Sequence, residues 1–467
     1  MVSEEKQFIK MTQTPIKKLI ITLSIPTIIS MLVTAIYNLA DTFFVSRLGV
    51  SASGAVGLVF PLMAIIQAIG FTLGMGGGSN ISAKLGERKN DEAQRIGSSS
   101  FYLSIVLGIL MTLFGIIFLD NIVNLLGATP TSFGYAKDYA TYIVFGAPIM
   151  TASFVLNNIL RAEGKAKFSM VGLSVGGVLN CFLDPLFIYG FNIGIAGAAI
   201  ATLISQCVSF LILLSFFLMK KSIITLSIKN ISFNFGPYIE IINVGLPSLA
   251  RQGLASIATL LLNRQAGNVD IGGGDPALSG MAIVSKVFMI IFSISLGIGQ
   301  GYQPVCGYNY SSHNYKRVKE AMIFTFIVST IIMTTMAVFF FVLSKPVIYM
   351  FLGEEAKDVD KVIEIGGAAL RFQCLVMPLM PINVLCNMTY QATRKKLLAT
   401  LLSCCRQGLF FIPCVFILPA LFNIVGVELI QPVADLITCL FSVPFFIWFV
   451  KHLNEKEKEI SLNEVVA

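Results

Sequence analysis

Apolar runs of about 20 residues or more recur along the whole of this 467-residue chain, and any fold has to accommodate them. Each is long enough to cross a hydrocarbon core of about 30 Å. Inside lipid a backbone must satisfy its own hydrogen bonds, which leaves helices or the strands of a closed barrel. Barrel strands would show short period-two alternation, and the sequence has none. The chain is 55% hydrophobic and 12% charged, a balance outside the range of soluble globular domains. Hydropathy and helix breakers place about twelve spans, near 17–46, 51–80, 96–119, 136–160, 168–190, 195–219, 238–265, 277–306, 321–344, 362–392, 397–422 and 427–450.

The basic residues orient these spans. With the N-terminus inside, the cytoplasmic segments carry clusters such as Lys84, Arg88, Lys89 and Arg95, or Arg161, Lys165 and Lys167. The outer segments hold only Arg47, Lys137, Arg264, Lys345, Lys357 and Lys361. The alternation follows the positive-inside rule and puts both termini in the cytoplasm, in a multi-pass plasma-membrane protein. The net charge of +8 therefore reflects topology and gives no reason to expect nucleic acid as a partner. All nine cysteines fall in or at the ends of spans, as small apolar side chains do, and form no disulfide framework or metal set. The two histidines, His313 and His452, lie on the cytoplasmic side. This argues against a histidine base within the membrane and against an enzyme.

The chain repeats itself. Pro26 answers Pro247, Gly74-x-Gly76-x-Gly78 answers Gly297-x-Gly299-x-Gly301, and Pro148, Asn157 and Ala162 answer Pro378, Asn387 and Ala392. The offset drifts in order from about 221 to about 230 residues, as in a duplication with small insertions. Six spans per half is even, so the halves share orientation, as in parallel-repeat transporters that work by alternating access. The expected fold class is an all-α integral membrane protein with about twelve transmembrane helices in two pseudo-symmetric six-helix lobes. The expected domains are an N-terminal lobe (1–221), a cytoplasmic linker (222–237), a C-terminal lobe (238–451) and a cytoplasmic tail (452–467). Asn157 and the glycine triplets occur in both halves, so helix packing accounts for them.

Two acids are not shared. Asp41 ends the run LVTAIYNLAD and Asp184 lies in VGGVLNCFLDPLFIYG. A carboxylate at membrane depth costs roughly 3 kcal/mol or more, and such residues mark ion or proton pathways. Their counterparts in the second half fall near Leu262 or Asn263 and near Ile412 or Cys414, so the scaffold itself does not need them. The first and fifth spans both run outward, which sets both acids in the outer half. Tyr37 and Asn180, each four residues earlier, share their faces. Ala198 and Thr202 open the sixth span at the same level. Two carboxylates, an amide and a hydroxyl make an oxygen cage for Na⁺; equally, two buried carboxylates can share a proton. The second half has a polar cluster of its own, Arg251, Lys286 and Asp435, expected to be charge-paired, the alternative being a substrate-gating or proton-linked role. Arg371 and Arg406 are expected to snorkel or to line water. Pro26 is expected to kink the first span, and Pro378 with Pro381 to break the tenth.

The run IPTIISMLVTAIYNLADTFFVSRLG resembles the opening helix of the multidrug and toxic compound extrusion (MATE) family. RAEGKAK, NCFLDPLFI, GIAGAAIAT and QPVCGYNYSSHNYKRVKEA extend the resemblance over residues 15–450 or so. It implies a twelve-helix, two-lobed exporter of small cationic or amphipathic drugs, driven by Na⁺ or H⁺ and needing no other cofactor. The chain is expected to work as a monomer among membrane lipids. In the bacterial DinF-like and MepA-like branch the cation site is in the first lobe. Its positions carry over to Asp41, Asn180, Asp184 and Thr202, with Ala198 as a backbone ligand; Tyr37 and Asn157 are candidate neighbours. Other branches use acids in the seventh and tenth helices, where SLARQGLASIATLLL and CLVMPLMPINVLC have none. Arg251 and Lys286 match no motif of the family. The alternative is a lipid-linked oligosaccharide flippase of the same superfamily, commonly with more helices and a more cationic cavity.

Overall fold

The computed structural model describes residues 2–352 and 358–466. Lys357, counted above among the outer basic residues, lies outside them, as do the chain ends Met1 and Ala467. All regular structure among the described residues is helical. A short helix α1 (Val2–Gln13) leads into α2 (Ile16–Ser46), α3 (Val50–Gly86), α4 (Asn90–Ile117) and a short α5 (Leu119–Leu125). Next come α6 (Phe133–Phe145), α7 (Ala147–Ala162), α8 (Ala166–Pro185), a π turn Leu186–Gly190, and α9 (Ile195–Leu218). The second half holds α10 (Phe235–Ala266), α11 (Asp275–Ser311), α12 (Tyr315–Val342) and a short α13 (Ser344–Met350). It ends with α14 (Val359–Val376), α15 (Met380–Ala392), α16 (Lys396–Cys404) and α17 (Phe411–Val466).

Among the described residues, nine helical stretches are long and apolar enough to cross a membrane, and α6 with α7, bent by 48°, make a tenth. The stretch of α16 and α17 contains two crossings, because Asn423 (φ 54°, ψ −131°) interrupts the helical path. Helix α10 is 32 residues long but too polar to be among those stretches, and completes twelve. The expected tenth-span break is present: α14 and α15 are separated by a 3₁₀ turn, Met377–Leu379, at Pro378. Helix α2 holds Pro26 within one continuous helix.

The duplication is visible in local conformation. Asn157 Nδ2 donates to the Ser169 carbonyl (3.1 Å) and Oγ (2.6 Å); Asn387 Nδ2 donates to the Ala399 carbonyl (2.8 Å) and Ser403 Oγ (2.6 Å). Each ties consecutive helices together, which gives Asn157 a packing role. Gly194 (φ 68°, ψ −138°) before α9 has its counterpart in Asn423, in a region of backbone space that glycine enters with least strain. The linker is also tied down. The buried Glu163 carboxylate, at the end of α7, accepts from the Ile223 and Ile224 amides (both 2.9 Å) and from Ser222 Oγ, and pairs with Lys165.

Among the described residues, the two lobes share a core at one end of the bundle. There a single apolar core draws on both: Leu19, Leu23 and Leu73 from the first lobe pack with Val305, Tyr308 and Met388 from the second. At the other end the cores are separate, one around Val59, Tyr139 and Ile143 and one around Leu262, Met281 and Leu370. The glycine stripes make the shared end possible. Gly76 lies against the Ile241 carbonyl, Gly245 against the Thr72 carbonyl, and Gly297 and Gly301 against the backbone of Ile28 and Ser24; no side chain fits at these crossings, and small residues allow such approach. Polar contacts close the same end: Thr27 Oγ1 to the Gly297 carbonyl (2.6 Å), Gln303 Nε2 to Ser79 Oγ (3.1 Å) and Arg394 to Glu87 (2.9 Å). Lysines and arginines gather there, as in Lys10 bonded to Gly164, Arg317 to Thr14 and Lys165 to Lys221. The cleft between the lobes therefore opens away from this basic end.

Candidate functional site

Four helices of the first lobe converge beside the open half of the cleft: α2, α6, α8 and α9. Helix α8 presents Asn180 and Asp184 from successive turns of one face, and Asn180 Nδ2 donates to Asp184 Oδ1 (3.0 Å). The same amide reaches Thr202 Oγ1 on α9 (3.4 Å). Helix α2 packs on α8 at Gly177, where an added Cβ would meet Val33 and the Tyr37 ring. This brings Asp41, one turn beyond Tyr37, within electrostatic reach of Asp184. From α6, Tyr139 Oη donates to Asp41 Oδ2 (3.5 Å).

The polar atoms of the site are buried. Asp184 is 0% exposed, Asn180 2%, Thr202 4% and Ala198 0%, while Asp41 is half-buried. Three side-chain oxygens are left without a partner: Asp41 Oδ1, Asn180 Oδ1 and Asp184 Oδ2. An orphaned buried acceptor costs about 1–3 kcal/mol, and structures seldom tolerate several together. Among the described residues no lysine or arginine pairs with either aspartate. An arrangement rich in acceptors and lacking cations suits a bound cation or a shared proton.

Of the residues singled out from the sequence, Asp41, Asn180, Asp184 and Thr202 come together, with Ala198 one turn before Thr202 in the same wall and Tyr37 beneath. Asn157 does not join them. Tyr139 was not anticipated, because it lies on a different helix and in a stretch without a motif. At the offset of about 230 it answers Ala369, so it too is private to the first lobe.

The MatE family model matches residues 26–186 and again 247–417. The chain belongs to the MatE family. The two matches fall on the two lobes, so each lobe is one copy of the MatE repeat. A relative in Staphylococcus saprophyticus, "Multidrug export protein MepA", is 28% identical over 420 residues, which are 89% of this chain and 90% of that protein. Among solved structures, a MATE protein in complex with MaL6 is similar with a TM-score of 0.90 at 27% identity, over 97% of this chain and 99% of the other. The outward-facing conformation of a multidrug resistance MATE family transporter of the MOP superfamily is similar with a TM-score of 0.89 at 27% identity, over 96% and 98%. With this membership and its apolar helices, the MatE chain is a multi-pass membrane protein.

The second MatE repeat arranges its charges differently from expectation. Asp435 (1% exposed) is paired, but with Arg406 (2.8 Å) and not with Arg251 or Lys286. Gln373 and Gln431 each donate to the same carboxylate at 2.8 Å. The Arg406 guanidinium also lies over the Phe292 ring, 4.3 Å from its centre. Arg406 is thus half of an ion pair with a buried carboxylate, where it was expected to snorkel or to line water. It sits in the π turn Cys405–Leu409, whose wider winding no sequence signal announced.

Proposed function

We propose that this protein is a cation-coupled multidrug efflux antiporter that exports small amphipathic compounds, cationic ones among them, by alternating access. The observation that carries this reading is the trio of unpartnered oxygens on Asp41, Asn180 and Asp184, set in one lobe of a duplicated transporter fold. In the reading, the basic end is cytoplasmic, as its lysines and arginines require, and the cleft opens to the outside of the plasma membrane. Extracellular Na⁺ or H⁺ settles among the side-chain oxygens of Asp41, Asp184, Asn180 and Thr202. Loading favours the return to an inward-open form only through a difference in cation affinity between the two states. The monomer is the working unit, and the membrane interior holds no histidine for a catalytic base, so transport and not catalysis is its task. The twelve crossings favour the exporter over the larger flippases of the superfamily.

The test is export from proteoliposomes under imposed Na⁺ or pH gradients, one at a time. Asp41→Asn and Asp184→Asn are expected to lose gradient-driven export at least tenfold while the protein still inserts and folds. Export at the normal rate in both variants overturns the site.

A further inference from the structure

The walls of the cleft carry opposite charges. The first lobe contributes Asp41 and Asp184; the second contributes cations without counter-ions. Helix α10 is the long helix too polar to qualify as a span on its own, and a helix of that kind in a membrane protein faces water or protein rather than lipid. On it, Arg251 lies one turn beyond Ser248, whose hydroxyl accepts from Gln391 Nε2 at the floor of the cleft (3.3 Å). Lys286 stands on the opposite helix of the same wall. Gly301 and Gly297 mark the face of α11 that meets α2. Followed toward the open end in helical steps, that face carries Ser293, Ile290 and Lys286. Both Arg251 and Lys286 are half-buried, and among the described residues neither forms a hydrogen bond or an ion pair.

The acids nearby are already engaged or remote. Asp435 is taken by Arg406, Gln373 and Gln431. Glu428 and Glu364 neighbour each other toward the open end. Below Arg251, the floor adds more positive charge. Arg161, 6% exposed, donates only to neutral partners, the Gln300 and Asn158 side-chain oxygens and the Met75 sulfur. The Arg161 guanidinium also lies within electrostatic reach of Arg251. A half-buried cation lined up with others of its sign is unfavourable until an anion joins it, and guanidinium and ammonium groups bind oxyanions with strong, charge-assisted hydrogen bonds.

We propose that Arg251 and Lys286 form a subsite for the anionic group of an amphiphilic substrate, a carboxylate, sulfonate or phosphate on an apolar body. This deepens the export reading and rests on it. The anionic group binds the C-terminal lobe while the coupling cation binds the N-terminal one. Substrate and cation then occupy different side chains, and their exchange runs through lobe closure, not through competition for one carboxylate.

The experiment follows two dyes in proteoliposomes of the full chain, the anion anilinonaphthalene sulfonate and the cation ethidium, under Na⁺ and pH gradients. The wild-type protein is expected to export the sulfonate. Arg251→Gln and Lys286→Glu are each expected to lower the ratio of sulfonate to ethidium export by about tenfold, the loss of one charge-assisted contact. Arg251→Lys, which keeps the charge, is expected to retain most of the ratio. Melting temperatures of the purified variants separate this loss from misfolding. An unchanged ratio in well-folded Arg251→Gln and Lys286→Glu overturns the subsite, and so does a wild-type protein that exports ethidium but no sulfonate; both leave the export reading intact. If neither dye moves under either gradient, the export reading falls and the subsite with it.

Discussion

Asp41 and Asp184 differ in what holds them. Asp184 accepts from Asn180 on one of its oxygens, and among the described residues Asp41 is steadied by the long bond from Tyr139. Tyr139→Phe removes a donor that orients Asp41 without removing any proposed ligand. It is expected to raise the apparent KM for the coupling ion a few-fold, since a neutral hydrogen bond contributes about 1 kcal/mol, with maximal export rate little changed. Export measured against ion concentration checks this, and a fall in maximal rate at unchanged KM would count against an orienting role. The acids, Asn180 and Thr202 could be picked out from the sequence because spacing of three or four residues on a helix fixes which side chains share a face. Tyr139 could not, since its position depends on how α6 packs on α2, and nothing local records that.

At the level of elements, the sequence marks helix ends and breaks well and helix polarity poorly. Pro378 and the glycine stripes carried their meaning openly, because an unfavourable backbone or a missing side chain leaves few alternatives. The π turns at Leu186–Gly190 and Cys405–Leu409 have no such signature, and with the second went the true partner of Asp435. Loops at the basic end act as clasps between helices of different lobes. Glu87, just past α3, pairs with Lys84 (3.2 Å) and Lys89 (3.1 Å) and with Arg394 between α15 and α16 (2.9 Å). Partial burial works to raise its carboxyl, but the bonds from Lys89 and Lys84 and the charges of Lys84 and Arg394 outweigh it, holding the group below the ordinary carboxylate range. Of these influences only the Arg394 charge crosses the lobes, so only that part of the lowering favours closure; it acts while the carboxyl is ionised and is lost as pH falls through the lowered value. The pair is part-exposed and worth about 0.5–1 kcal/mol, so Glu87→Gln is expected to shift the closed fraction roughly two- to fivefold at neutral pH. Spin-label distances across the basic end measure that fraction. The wild-type protein is expected to approach the variant only in acid, and a variant with the wild-type distance distribution at neutral pH would remove Glu87 from the clasp.

For the molecule as a whole, the repeat announces two lobes, but it is silent about which ends touch. A transporter that works by alternating access keeps its two arrangements within a few kcal/mol of each other, too fine a balance to read from composition. The cores resolve it: one core spans both lobes at the basic end, and two separate cores lie at the other. On the export reading, passage to an inward-open form must split the shared core, withdrawing Gly76 from Ile241 and Gly297 from Ile28, while the separate cores travel as rigid bodies. A covalent tie across the basic end should then stop the cycle without touching either binding site. Glu87→Cys with Arg394→Cys offers such a tie, as their native side chains already meet across the lobes, and the native cysteines are buried or half-buried. Joined by a reducible bis-methanethiosulfonate linker, the double variant is expected to lose export to background and to recover on reduction, while each single variant treated alike keeps its rate. Cation binding from the open side is expected to persist in the tied protein, because the Asp41 site lies beyond the tie. Full-rate export by completely cross-linked protein would show that the lobes need not part there, and alternating access through this interface would have to be abandoned.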